Sequence, residues 1–198
     1  MNVSRETMVK LQRYEALLRK WNPAINLVAK STLEDAWARH FEDSAQVYEL
    51  CPEGSSHWVD LGSGGGFPGM VVVIMATEQR PQLKVTLVES DQRKATFLRT
   101  VARECAVDVA VQAVRSEDLP PQSADVVSAR AFAPLHELLG HAARHLRPGG
   151  SAILLKGAQA EAEIAEALAS WRFTLQKTPS KTDPRAVILT IGELSRAG

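Results

Sequence analysis

Two hydrophobic periodicities divide the chain near residue 52. Over residues 4–21 the apolar positions Met8, Leu11, Tyr14, Leu17, Leu18 and Trp21 recur mostly three or four apart. That spacing makes one stripe of an amphipathic helix, with Ser4 placed to cap it. Asn22-Pro23 is expected to end it. A second helix is predicted from Ser31 or Thr32 to about Leu50, with Glu34 and Asp35 in its first turn, before Cys51-Pro52-Glu53-Gly54 turns the chain.

From residue 57 onward, apolar runs with strand character alternate with helical segments. Trp58–Leu61, Val85–Glu89, Val107–Val114, Asp125–Ala129 and Ala152–Leu155 read as strands, several too continuously apolar to have a wet face. Segments 68–79, 91–105 and 134–146 between them are long enough for crossover helices. After a helix at 159–170, Phe173–Thr178 and Ala186–Ile191 are close enough to pair antiparallel. The predicted fold is α/β and Rossmann-like, with a mostly parallel seven-stranded sheet ending in an antiparallel hairpin. Residues 1–52 form an N-terminal helical extension, and residues 53–198 form the sheet domain.

The chemistry concentrates where the first strand ends, in Asp60-Leu61-Gly62-Ser63-Gly64-Gly65-Gly66. Four glycines exceed what a turn needs, and the carboxyl edge of an open α/β sheet is where ligands bind. Two ligands compete. Gly64-Gly65-Gly66-Phe67-Pro68-Gly69 is a literal GxGxxG, with Glu89 a further 20 residues on, the dinucleotide pattern of a nicotinamide or flavin enzyme. That match begins two residues late and puts Pro68 at the helix start. Read from Asp60, the pattern is Asp-x-Gly-x-Gly-x-Gly, which resembles the S-adenosylmethionine loop of class I methyltransferases. An acid at the strand end can orient that loop or accept from the methionine ammonium, whereas it would repel a pyrophosphate. Asp60, Gly62, Gly64 and Gly66 are the expected loop residues. Glu89, closing the second strand, is placed to accept from both ribose hydroxyls; the alternative is a carboxylate capping the next helix. Ser116-Glu117-Asp118 follows the third strand, where the adenine edge is expected, and the sequence does not say which of the three reaches it.

Composition narrows the class. The 198 residues carry 23 basic and 23 acidic side chains, so no global field draws the chain to nucleic acid, and any RNA surface must be local. Cys51 and Cys105 show no CxxC spacing, and no metal-ligand pattern is present, so buried thiols are expected. With neither a signal-peptide core nor a membrane-length apolar run, the expectation is a soluble, cytoplasmic, membrane-independent monomer.

Six segments in order then resemble one family. They are Trp21-Asn22-Pro23-Ala24-Ile25-Asn26-Leu27, Arg39-His40-Phe41-Glu42-Asp43-Ser44, the glycine loop with Phe67-Pro68-Gly69, Arg93-Lys94-Ala95-Thr96-Phe97-Leu98, Ser128-Ala129-Arg130-Ala131-Phe132-Ala133 and Leu155-Lys156-Gly157. Together the chain is similar to the RsmG (GidB) family of bacterial 16S rRNA guanine-N7 methyltransferases. The resemblance implies S-adenosylmethionine as cofactor, 16S rRNA or the small ribosomal subunit as partner, and Gly62, Phe67, Glu89, Ser116, Glu117 and Arg130 at the cofactor or active site. Lys181-Thr182-Asp183-Pro184-Arg185 is a short version of a basic, proline-containing segment that some relatives carry before the last strand.

The missing devices agree. The place after the fourth strand holds Ala129-Arg130-Ala131-Phe132-Ala133-Pro134 rather than the Asn/Asp-Pro-Pro-aromatic loop used on exocyclic amines. Neither cysteine ends a strand, as a nucleophile for a pyrimidine carbon would. Guanine N7 has a free lone pair and no proton, so alignment and exclusion of water suffice. Arg130 is the expected catalytic residue, holding the guanine edge or a phosphate. Arg93, Lys94, Arg99 and Arg103 are the expected RNA contacts, backed by Lys10, Arg13, Arg19, Lys20, Lys30, Arg39 and His40 of the extension. His40 reads equally as a buried structural histidine, and Asn26 and Asp43 read as turn and packing residues. Other readings stay open: a methyltransferase on a small molecule or protein, a nicotinamide-dependent oxidoreductase, or a silent RNA-binding module.

Overall fold

The computed structural model describes residues 1–130 and 133–197, so Ala131 and Phe132 of the fifth resembling segment lie outside the described residues. Seven strands, β1 (His57–Leu61), β2 (Lys84–Val88), β3 (Ala110–Gln112), β4 (Ala124–Arg130), β5 (Leu146–Lys156), β6 (Trp171–Pro179) and β7 (Val187–Arg196), form one sheet in the order β3-β2-β1-β4-β5-β7-β6. The first five are parallel, and β7 runs antiparallel to both β5 and β6. Strand order reverses between β1 and β4, so the crevice at their carboxyl ends is the place for a ligand.

Strands β1 and β4 are buried almost throughout because both faces are covered. On one face α4 (Gly69–Gln79) and α5 (Gln92–Glu104) pack with the extension; on the other lie α6 (Leu135–His145) and α7 (Ala160–Ala167). Edge strand β3 is shorter than its apolar run suggested, since it pairs only with β2 and keeps half its surface wet. Strand β5 is longer, beginning at Leu146 with a polar stretch across which its register with β4 shifts before Ser151.

The extension departs most from expectation. Helix α1 (Arg5–Ile25) continues through Pro23 instead of stopping there. Proline removes one bond of the last turn, but Asn26 in a left-handed conformation (φ 48°) closes the helix by donating to the Asn22 carbonyl. Buried Asn22 also accepts the Val28 N–H at 2.8 Å, fixing the chain's exit. The second helix is broken into α2 (Lys30–Leu33), a π-helical turn at Trp37–Glu42, and α3 (Asp43–Glu49). Its start at Lys30 has no side-chain cap. The wider π turn lets His40 and Phe41 both bury, and residues 43–48 of α3 are then buried all round. The polar side of α3 is covered by the β6–β7 loop: Ser180 and Thr182 donate to Asp43, and Gln46 bonds Pro179 and Lys181. Leu11, Tyr14 and Leu18 of α1 sit in the same buried cluster as Met70 and Phe97, so extension and sheet share a core.

Candidate active site

At the switch point a cavity of about 820 Å³ opens between the strand ends and the extension. Its volume is within the range of small-molecule and cofactor pockets, about 300–1,000 Å³. Gly62, Gly64, Phe67, Glu89, Lys94, Ser116, Glu117 and Arg130 all line it, although they come from five separate parts of the chain. Cys51 and Cys105 are buried away from it, as free thiols.

One half of the wall is the glycine loop and the ends of β2 and β3. Gly64 has φ +56° and donates its N–H to Glu89 at 2.8 Å. The other Glu89 oxygen takes the Asp91 N–H at 2.8 Å, so the carboxylate is clamped by two backbone donors and keeps acceptor capacity at the cavity wall. The cap of α5 is Asp91, which accepts from Arg93 and Lys94, so Glu89 is not the capping residue. Ser116 is buried, bonded to Glu117 at 3.2 Å and to His141 at 3.0 Å, and a buried His145 nitrogen lies 3.0 Å from its carbonyl. Asp118 does not line the cavity.

Two expected loop contacts lie elsewhere. Asp60 is completely buried beneath the loop and does not reach the cavity. One of its oxygens accepts from Ser128 at 2.6 Å, Ser128 accepts from the Trp58 indole at 2.7 Å, and the other oxygen has no partner among the described residues. Burial pushes this carboxyl up to about 6 against the bonds that favour its charge. Gly66 (φ +97°) also faces the core: a Cβ there would run into Tyr14, Met70 and Leu98. Its absent side chain admits the Tyr14 hydroxyl, which donates to the Gly65 carbonyl. Sequence reasoning placed Tyr14 only in a core stripe, and only the tertiary structure shows it gripping the loop.

The other half of the wall is cationic. Arg130, at the end of β4, stacks its guanidinium over Phe67 with the charge 5.0 Å from the ring centre. Phe67 is packed in turn by Tyr14, Phe41 and His40. Arg130 Nη1 donates to His40 Nδ1 at 2.7 Å and to the Arg39 carbonyl at 3.3 Å. Burial lowers the guanidinium's pKa from its usual value. Burial, reinforced by Arg130 and Arg39, brings the His40 imidazole down to about 3, so it is neutral. Lys156, at the end of β5, is also buried against the cavity, paired with Glu163 at 2.5 Å and donating to the Ala133 carbonyl at 3.0 Å. The signal that could have found Lys156 is the one that found Glu89 and Arg130, a charge closing an apolar strand.

The expected RNA contacts spread along α5. Lys94 lines the cavity, and Arg93, Arg99 and Arg103 are exposed beyond it. Between Arg93 and Arg103 a helix rises about 15 Å. In the extension, Arg39 is held by Asp183 at 3.0 Å and Arg13 by the Glu104 carbonyl at 2.7 Å. The Lys181–Arg185 segment braces α3.

A seven-stranded sheet in this order, with a glycine loop at the switch point bonded to the acidic end of the neighbouring strand β2, has the architecture of a class I methyltransferase. Solved structures share the frame: a ribosomal protein L11 methylase from Lactobacillus delbrueckii has a TM-score of 0.60 at 19% identity, covering 78% of this chain and 77% of its own. M. jannaschii TYW2 in complex with AdoMet has a TM-score of 0.58 at 11% identity, covering 86% of this chain and 78% of its own. The family model for rRNA small subunit methyltransferase G (GidB) matches residues 7–187. Ribosomal RNA small subunit methyltransferase G of Cereibacter sphaeroides is 54% identical, covering 96% of this chain and 92% of its own. The protein of that name in Paracoccus denitrificans is 50% identical over the full length of both. The chain belongs to the rRNA small subunit methyltransferase G family, and its cofactor is S-adenosylmethionine. The cavity fits that group: a carboxylate clamped at the β2 end offers acceptors to a diol, and Gly62 and Gly64 leave room for close backbone approach.

Proposed function

We propose that this chain methylates N7 of a guanosine in 16S rRNA, acting as a cytoplasmic monomer on free rRNA or the small ribosomal subunit. The observation that carries this reading is the convergence of a cofactor-fitting wall and a buried, oriented Arg130 on one cavity whose described lining includes no cysteine. The bound cofactor supplies an electrophilic methyl group on a sulfonium. Gly62, Gly64, Phe67, Glu89, Ser116 and Glu117 hold it in this reading, while Asp60 and Gly66 support the loop from beneath.

Guanine N7 needs an oriented partner more than a base. His40 is not available as a base, because Nδ1 accepts from Arg130 and Nε2 lies 2.9 Å from the Thr32 hydroxyl. Among the described residues, Arg130 Nη2 and Nε make no hydrogen bond, which leaves donors for guanine O6 beside N7. Lys156 supplies a second cation on the same wall. Arg93, Lys94, Arg99 and Arg103 contact RNA phosphates, so binding should weaken steeply as salt rises; indifference to salt would remove them.

The deciding experiment deletes the gene and maps 7-methylguanosine in 16S rRNA by mass spectrometry. Loss of one modified guanosine, restored by the wild-type gene, is expected; an unchanged map overturns the rRNA assignment. Thermal stabilisation by S-adenosylhomocysteine but not NADH checks the cofactor separately.

A further inference from the structure

The extension's π-helical turn does more than close the core. In a regular α-helix the Arg39 carbonyl would accept from the Asp43 N–H four residues on. Here that N–H donates to the His40 carbonyl, and the Arg39 carbonyl meets Arg130 Nη1. The same turn presents the His40 ring to Arg130, 5.0 Å from the Phe67 ring over which the guanidinium lies. Rare π turns of this kind occur often at functional sites.

The tautomer of His40 follows from its partners. A guanidinium can only donate, so Nδ1 accepts and the ring proton sits on Nε2. Nε2 then donates to Thr32 Oγ1 at 2.9 Å, and that hydroxyl donates onward to the Ala29 carbonyl at 2.9 Å. The chain of donors runs in one direction, from Arg130 through His40 and from His40 through Thr32 to the backbone of the α2 turn. The fold keeps this imidazole neutral beside two arginines. It makes a fixed acceptor for one guanidinium nitrogen, and among the described residues Nε and Nη2 of Arg130 make no hydrogen bond.

We infer that His40 is a positioning residue for Arg130, through which the N-terminal extension sets the orientation of the catalytic guanidinium. The inference rests on the proposed role of Arg130, and its test separates the two. Asn can place an oxygen near the position of Nδ1, whereas Gln reaches toward Nε2 and leaves Arg130 without its acceptor. Methylation of small subunits is therefore measured for His40→Asn, His40→Gln and His40→Ala, with S-adenosylhomocysteine affinity and melting temperature for each. The expected result is kcat within about threefold of wild type for His40→Asn, and a fall on the order of tenfold to a hundredfold for the other two. Cofactor affinity should stay unchanged across the set. Equal kcat for the Asn and Gln variants, or losses that follow melting temperature alone, would overturn the inference.

A second readout does not depend on turnover. In wild type near pH 7, the 15N shifts of His40 should report a neutral ring protonated on Nε2, and Arg130→Met should shift Nδ1. A proton on Nδ1 overturns the inference. Normal methylation by Arg130→Ala, with the His40 shifts as expected, would sink the catalytic reading of Arg130 while leaving the contact in place.

Discussion

The two walls of the cavity are built by different rules. The cofactor wall is local: Gly62, Gly64 and Glu89 each sit at the exit of a strand, and bonds from Ser63 to Val88 and from Gly64 to Glu89 join the two exits across the β1–β2 edge. The acceptor wall is assembled from distance. Arg130 of β4 is held by Arg39 and His40, about ninety residues earlier. With Arg130 in its proposed role, the second wall would make catalysis depend on the packing of the extension.

If the contrast holds, substitutions should divide between cofactor affinity and turnover. The largest effect is expected for Arg130→Ala, with kcat reduced about 10²–10³-fold and S-adenosylhomocysteine affinity little changed. Calorimetry beside a methylation assay checks it, and a comparable loss of cofactor binding would merge the two walls. Glu89→Gln should do the opposite, weakening S-adenosylhomocysteine binding about 10-fold or more while saturated turnover stays near wild type.

Asp60 gives a pH signature beneath the loop. Its folded pKa of about 6 is raised above the carboxylate's usual 3.8. Its contribution to stability is therefore fully present below pH 3.8 and lost as pH rises through 6. Asp60→Asn should remove that loss and gain up to about 3 kcal/mol relative to wild type between pH 4 and pH 8, read from denaturant curves. His40 works the other way, since its depressed pKa lowers stability as pH falls below about 6.5 towards 3. The comparison must therefore be made variant against wild type at each pH. A parallel pair of curves would show that Asp60 does not titrate as described.

The smallest effect tests a bond that the extension makes to the glycine loop. Tyr14→Phe removes only the hydroxyl on the Gly65 carbonyl. It should cost about 1 kcal/mol of stability and raise KM for S-adenosylmethionine a few-fold. An unchanged KM would confine the extension's influence to the acceptor wall.

The strands, their parallel direction and the terminal hairpin were legible from residue 57 onward, because apolar runs alternate with segments long enough for crossover helices until the last two lie close together. The extension was less so. Pro23 is a strong helix breaker only where nothing else holds the last turn, and here Asn22 and Asn26 hold it. Residues 30–50 keep a helical apolar pattern, yet no periodicity announces the π turn in which His40 and Phe41 are both buried.

By itself, the sequence determined the glycine loop and the charged residues Glu89 and Arg130 at strand ends, since strand polarity puts such positions on one edge of the sheet. Family resemblance added Phe67. Tertiary structure alone decided which loop residues meet the cavity, turning Asp60 and Gly66 into the core and giving Gly66 to the Tyr14 hydroxyl. It also decided that His40 holds Arg130, that Lys156 joins the same wall, and that Asp43 anchors the β6–β7 loop. The physical reason is range. A local pattern fixes which face of its own element a residue occupies, but partners such as Tyr14 and Gly65, 51 residues apart, or His40 and Arg130, 90 apart, meet only once the sheet has brought them together.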